Sequence, residues 1–184
     1  MSETYYVKTF GGLEITNDNV TVNIVELFGK QLVNLLQVLL FHSEKPVQKD
    51  ELIDILWPES KNPSSALKFS IFRLRSELNE IDFFKDKEVI VTTRKGYILN
   101  PNLDWNIDFV ELQKAYNQIN EGAELLDEKE FKIARKIFRL YQGRFYASPS
   151  QLHWILQKQE VFRQMYVKTM MRTSCYLYTQ KRYD

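Results

Sequence analysis

The first thirty residues alternate short apolar-rich runs with turn residues. Tyr5–Phe10 and Leu13–Ile15 are separated by Gly11-Gly12, and Asn17–Asn19 precedes a third run at Val20–Val22. β-Branched and aromatic residues favour strands, whereas glycine and asparagine favour turns. The pattern predicts a small antiparallel meander of three strands.

The next apolar residues have helical spacing. Leucines recur every three or four positions between Gln31 and His42, which predicts a helix that Pro46-Val47 ends. Gln48–Leu56 has the pattern of a second, short helix, and this one ends at Trp57-Pro58.

A third predicted helix begins at Asn62-Pro63, where a capping side chain precedes a proline at the first helical position. Its apolar residues form one continuous core face: Leu67, Ile71, Leu74, Leu78 and Ile81. At about 100° per residue, a second set points away from that core. It comprises Ser65, Phe69, Phe72, Arg73 and Ser76, with Lys68 and Arg75 on a flank. Phe72 therefore either packs on another element or is exposed to a ligand.

Two β-rich segments, Glu88–Thr93 and Tyr97–Asn100, are joined by Arg94-Lys95-Gly96, which predicts a hairpin with a basic tip. Pro101–Asp104 is the plausible domain boundary. The pattern after it is helical and includes a long last helix from about Gln151 to Tyr178. We expect one α+β domain at residues 1–101 and an all-α domain of stacked helical hairpins at 102–184.

Charge is unevenly distributed although the net charge is only +1. Residues 1–60 carry 4 basic and 9 acidic side chains, residues 61–97 carry 8 and 5, and residues 98–184 carry 13 and 10. The total argues against a polycation that coats nucleic acid indiscriminately. The third predicted helix and the hairpin nevertheless lie in a segment of net charge +3.

The chain shows no pattern typical of an active site. Gly29-Lys30 lacks the upstream glycine of a phosphate loop, and neither His42 nor His153 has a second ligand at metal-binding spacing. Cys175 is the single cysteine, so we expect it to be an inert packing residue without a disulfide. We expect no enzyme, no cofactor and no metal.

The start of the chain lacks the basic and apolar regions of a signal peptide. The longest apolar stretch, Leu32–Phe41, is interrupted by polar residues and is too short to span a bilayer. The expected location is the cytoplasm.

The order of three helices followed by a hairpin is typical of a winged helix-turn-helix, in which one helix enters the major groove of DNA. Such a helix needs small polar residues and cations, and the hairpin tip needs phosphate donors. The helix candidates are Ser64, Ser65, Lys68, Arg73 and Arg75, with Phe72 as a thymine-methyl contact if it is exposed. The hairpin candidates are Thr92, Thr93, Arg94 and Lys95. Each cluster taken alone is better explained as an ordinary solvated surface, and it is the order of the elements, the local charge and the outward Phe72 together that favour DNA binding.

Several segments along the chain carry a family resemblance. Leu67–Leu78 followed by Val91–Leu99 resembles the recognition helix and wing of the OmpR-type DNA-binding domain, which also has N-terminal strands. Gly12-Leu13-Glu14, Lys49–Pro58 and Arg73-Leu74-Arg75 resemble the AfsR/SARP group of bacterial transcriptional activators. Trp105–Phe109, Leu140–Phe145, Trp154 and Tyr166 are similar to the bacterial transcriptional activation domain, a tetratricopeptide-like helical unit.

The resemblance implies a transcriptional activator that reads direct repeats in double-stranded DNA with its third helix. It also implies head-to-tail homodimers on DNA and contact with RNA polymerase. Carried over by position, the helix contacts are Lys68, Phe72, Arg73 and Arg75, and the wing contacts are Thr92, Arg94 and Tyr97. Ser70 and Phe72 depart from the family pattern, which has a larger residue and a polar residue at these positions.

A protein-interaction scaffold, in which the winged domain binds protein instead of DNA, is the alternative function. Gln180–Asp184 resembles the turn into a further helix. Because a helical repeat cannot cover its own apolar face, we expect a longer protein or a partner that caps this end.

Overall fold

The computed structural model describes residues 3–119, 126–147 and 152–180. The predicted meander is present as β1 (Thr4–Lys8), β2 (Glu14–Asn17) and β3 (Val20–Asn23). Asp18 and Asn19 have φ of 43° and 70°, values that short polar side chains tolerate, and they form the turn between β2 and β3.

A fourth strand, β6 (Asp104–Ile107), completes a sheet of strand order β3-β2-β1-β6. The sequence predicted only helices after the boundary at Pro101–Asp104, and this prediction was wrong. Asp104, Trp105, Asn106 and Ile107 do alternate between polar and apolar residues, but a run of only four residues is a weak strand signal, and its pairing in the sheet makes it a strand.

Four helices follow the meander: α1 (Ile24–Leu27), α2 (Lys30–Phe41), α3 (Lys49–Leu56) and α4 (Pro63–Asn79). The last three confirm the predicted helices, whereas the short α1 was not predicted. Asn23 caps α1, since its side chain accepts a hydrogen bond of 3.1 Å from the amide of Val25. At the start of α4, Pro63 occupies the first turn as predicted. The side chain of Asn62 makes no capping hydrogen bond there, so that part of the prediction was wrong.

The predicted core face of α4 is confirmed. Leu67, Ile71, Leu74 and Leu78 are buried, and Ile81 is buried just beyond the end of the helix. This face packs against α2 and α3. α2 and α3 thus pack along one side of α4, and the other side of α4 lies at the surface.

A 3-10 turn at Asp82–Phe84 leads to the hairpin of β4 (Ile90–Thr92) and β5 (Tyr97–Leu99). The strands are antiparallel, with Ile90 opposite Leu99 and Thr92 opposite Tyr97. The predicted hairpin is therefore present, and β4–β5 with its tip is called the wing below.

The chain divides into two compact units. One comprises Met1–Tyr5 with Ile15–Trp105, and the other comprises Tyr6–Glu14 with Asn106–Asp184. The functional division at residues 101 and 102 stays a prediction. No helix within the described residues is long and apolar enough to cross a membrane.

The second unit contains α5 (Asp108–Tyr116), α6 (Glu128–Leu140) and α7 (His153–Thr179), so this region is mostly helical as predicted. α5 packs on α6, and α6 packs on α7. Reciprocal hydrogen bonds between Asp127 and Glu130 cap the start of α6. Gln151, the predicted start of the last helix, and residues 181–184, most of the predicted turn into a further helix, lie outside the described residues.

An aromatic core holds the Tyr6–Glu14 segment to the helices of the second unit. The ring of Phe10 lies 5.3 Å from that of Phe162 and 5.8 Å from that of Phe145. The buried carboxylate of Asp108 accepts hydrogen bonds from the amides of Thr9 and Phe10, at 2.8 and 3.1 Å, and from the Thr9 hydroxyl. Burial raises the pKa of Asp108 despite these donors.

Candidate nucleic-acid interface

The outward side of α4 carries most of the predicted helix residues. Ser64, Ser65, Lys68, Phe72 and Arg73 are exposed, and so are Phe69 and Ser76. The periodicity of the helix explains this arrangement, because these positions are interleaved with the buried core face at helical spacing.

The Phe72 side chain is 69% exposed and that of Phe69 is 61% exposed. The ring of Phe72 therefore faces outward from the first unit and does not pack on the wing. Large apolar side chains at this level of exposure are unusual on a helix whose core face is already complete.

Within the described part of the chain, the side chain of Arg73 bonds only to Glu77, in an exposed ion pair. Its Nη2 atom lies 3.2 Å from Oε1 of Glu77, one turn further along α4, and half of its side chain is exposed. An exposed pair at this spacing contributes only about 0.3–0.5 kcal/mol. The guanidinium can therefore exchange Glu77 for a phosphate or a base edge at little cost.

Arg75 has a different environment. Its Nε and Nη2 atoms donate to the carbonyl oxygen of Ile90 at 3.1 and 2.8 Å, and Nη2 also donates to Oγ1 of Thr92 at 2.8 Å. The half-buried guanidinium thus ties α4 to β4. Two nitrogen atoms of the guanidinium are thus engaged within the fold, and the direct DNA contact of Arg75 stays a prediction.

The tip of the wing presents Arg94 and Lys95 to solvent. Thr93 organises this turn, because its hydroxyl accepts hydrogen bonds from the amides of Lys95 and Gly96, each at 3.2 Å, while its own amide donates to the Gly96 carbonyl at 2.8 Å. Thr92 is exposed at the end of β4. The turn therefore holds two cations at a fixed place next to α4.

Tyr97 is not on this surface. Its side chain is only 6% exposed, and its backbone exchanges two hydrogen bonds with Val47, of 2.8 and 3.0 Å. The resemblance placed Tyr97 among the wing contacts with DNA. In the structure Tyr97 is buried together with the other two residues of β5, Ile98 and Leu99.

A groove of about 350 Å³ lies between α4 and the start of α2. Lys30 and Gln31 line one side of it, and Phe69 and Arg73 line the other. Lys30 was not among the predicted residues, because its proximity to Arg73 results from the packing of α2 on α4.

A second groove, of about 460 Å³, separates α4 from the segment that precedes β4. Phe72 and Ser76 line it on the α4 side, and Lys87 lines it opposite. Lys87 was not predicted either, and its Nζ atom donates to the side chains of Glu3 and Tyr5. The hydrogen bond from Lys87 lowers the pKa of Glu3.

Part of the first unit matches a known family model. Residues 25–99 match the model of the family described as transcriptional regulatory protein, C terminal. This range contains α4 and both strands of the wing. No curated protein matches the chain significantly in sequence.

Two solved structures are similar to the chain. Mycobacterium tuberculosis EmbR, in complex with a low-affinity phosphopeptide, has 17% sequence identity and a TM-score of 0.67 over 98% of this chain and 46% of the EmbR chain. The chain thus spans about half the length of EmbR. The DNA-binding domain of Escherichia coli CadC has 25% identity and a TM-score of 0.39 over 54% of this chain and 94% of that domain.

The family match and the likeness to EmbR agree with the order of elements, from the N-terminal strands through α4 and the wing to the helical second unit. Residues 25–99, which match this family model, therefore have a winged-helix fold, and the chain as a whole is similar in fold to EmbR.

Proposed function

We propose that this chain is a sequence-specific regulator of transcription that binds double-stranded DNA through α4 and the wing. The observation that carries this proposal is the outward side of α4. It presents small polar, cationic and aromatic side chains next to a hairpin with a basic tip, inside the range that the family model matches.

The dimensions and charges of this surface suit B-DNA. The major groove is about 12 Å wide and accepts one helix. Ser64 and Ser65 stand at the start of α4, where the helix N-terminus favours phosphate oxygens. Lys68 and Arg73 follow on the exposed side. These residues have the chemistry to bind backbone and base edges together.

The wing supplies the second point of attachment. Arg94 and Lys95 reach the phosphates that flank the groove occupied by α4, with Thr92 and Thr93 as hydroxyl donors. Arg75, which belongs to α4, fixes the position of the wing relative to that helix, because its guanidinium donates a hydrogen bond to the Ile90 carbonyl of β4. Binding therefore depends on both the helix and the position of the hairpin.

The second unit has the role of an assembly module in this proposal. Its stacked helices α5 to α7 offer surfaces for a second protomer or for RNA polymerase. Two protomers bind direct repeats head to tail, and the protein acts as an activator. The resemblance to AfsR/SARP regulators supports these finer points.

The test is selection of bound duplexes from a random library by the full chain, followed by fluorescence anisotropy on the selected site. Arg73→Ala is expected to weaken binding by about 1–3 kcal/mol if Arg73 reads a base. Wild-type affinity is expected to fall steeply with added salt, because phosphate binding releases counterions.

Arg163→Ala is the matched control. Arg163 is also an exposed helical arginine in an ion pair with a nearby glutamate, Glu160, but it belongs to α7. Equal losses in the two variants would contradict the assignment of α4 as the reading helix. Failure of the wild type to select any duplex at low salt would favour the protein-binding scaffold.

A further inference from the structure

Phe69 and Phe72 form an apolar ridge on the exposed side of α4. The two residues are three positions apart, so their Cβ atoms are about 5–6 Å apart on the helix surface. Phe69 lines the groove towards α2, and Phe72 lines the groove on the opposite side of α4. The Phe69/Phe72 ridge therefore lies between the two grooves.

Cations surround the ridge. Lys30 and Arg73 line the same groove as Phe69, and the exposed Lys68 directly precedes Phe69 in α4. Exposed phenyl rings among lysine and arginine side chains suit a partner with two properties. Its surface carries many negative charges, and it has apolar groups that a docked helix can contact. Duplex DNA has this combination of chemistry in its major groove.

Among base edges in the major groove, the 5-methyl group of thymine is the apolar group, since the others present hydrogen-bond donors and acceptors. We propose that the Phe69/Phe72 ridge reads the 5-methyl groups of thymines, and that it selects duplexes with thymine at two neighbouring positions. This inference rests on the proposed function, because it requires α4 to enter the major groove.

The spacing of the ridge fixes the spacing of the bases. Successive bases on one strand rise by about 3.4 Å, so a ridge of about 5–6 Å covers thymines at adjacent or next-adjacent positions. Neither phenyl ring donates or accepts a strong hydrogen bond. The ridge therefore distinguishes thymine by its methyl group alone.

Removal of that methyl group tests the inference directly. The duplex selected by the full chain is synthesised with thymine and with 2′-deoxyuridine, which pairs identically but lacks the methyl. Wild-type affinity is expected to fall about fourfold for each methyl removed, the factor equivalent to about 0.8 kcal/mol per buried CH₂-sized group. Two contacts give a fall of about fifteenfold.

The variant Phe69→Ala/Phe72→Ala is measured on both duplexes. Because the two rings are mostly exposed, the variant keeps its fold, which its thermal unfolding midpoint verifies. It is expected to bind the two duplexes with equal affinity. Tyr6→Ala, which truncates an aromatic residue that is 55% exposed on β1, is the control and is expected to keep the wild-type difference.

The outcomes separate the thymine inference from the proposed function. Tight binding of a selected duplex whose affinity is unchanged by deoxyuridine overturns the thymine inference and leaves the proposed function intact. The thymine inference is also overturned if the wild type and the double variant lose affinity equally, or if the selected sites lack neighbouring thymines. In those cases the ridge has another occupant, such as a protein. If the wild type selects no duplex, the proposed function fails together with the inference.

Discussion

Replacement of Arg75 by alanine separates a residue that positions the wing from one that binds DNA. The substitution removes the three hydrogen bonds that the guanidinium donates to Ile90 and Thr92. A hydrogen bond from a charged donor contributes about 1.5–3 kcal/mol. Because Arg75 is half-buried and its Nη2 is shared between two acceptors, we expect the sum to be about 2 kcal/mol.

This loss is local, so it is measured by hydrogen exchange of the amides in β4 and β5. A loss of about 2 kcal/mol in the free energy of opening corresponds to about thirtyfold faster exchange, if the wing opens independently of the rest of the unit. Arg75→Lys is expected to recover less than half of the protection, because an ammonium group cannot reproduce the planar fork that reaches both acceptors.

Arg73→Ala is the matched control, since Arg73 lies on the same helix and bonds only to Glu77. It is expected to weaken DNA binding without changing exchange in the wing. Arg75 does not position the wing if Arg75→Ala leaves wing exchange unchanged and lowers the slope of the salt dependence by about one, the signature of a direct phosphate contact.

Two further predictions concern stability. Gly96→Ala is expected to lower the free energy of unfolding by about 2–4 kcal/mol in urea titrations, because φ is +150° and a Cβ atom would lie 1.8 Å from the Val47 carbonyl oxygen. Gly29→Ala, whose Cβ would meet nothing within 4 Å, is expected to cost about 1 kcal/mol or less, and equal costs would contradict this account. For Asp108, burial raises the pKa in the native state above the ordinary value of 3.8. The contribution of Asp108 to the free energy of unfolding is therefore complete below pH 3.8, and it declines as the pH rises through the native pKa. The difference in unfolding free energy between wild type and Asp108→Asn is therefore expected to shrink as pH rises above 3.8, and a difference that grows with pH would contradict the sign of the shift.

Much of the first unit was predictable from local pattern. The apolar spacing that begins at Leu67 gave α4 and its buried face, and Gly96 after two basic residues gave the hairpin tip. The candidate surface followed from the same pattern, because residues that are not on the core side of an amphipathic helix must face outward. For Phe72 the pattern gave the direction of the side chain, away from the core, and the structure decided that the ring is exposed.

The predictions that failed concern partners distant in sequence. β6 is a strand because it pairs in the sheet with β1, about a hundred residues earlier. Tyr97 belongs to a hairpin with a basic tip, yet its backbone bonds to Val47 and its ring is buried. Nothing in the residues adjacent to Tyr97 distinguishes a buried wing tyrosine from an exposed one.

The sequence by itself determined the helices and the hairpin, the positive charge of residues 61–97 and the kind of ligand that α4 suits, since each depends on spacing and residue type. The tertiary structure alone decided which cations remain available. It placed Lys30 beside Arg73 and directed Arg75 to the backbone of β4. The physical reason is that helical periodicity fixes the direction of a side chain, whereas its hydrogen-bond partners depend on which other segments the fold brings within about 3 Å.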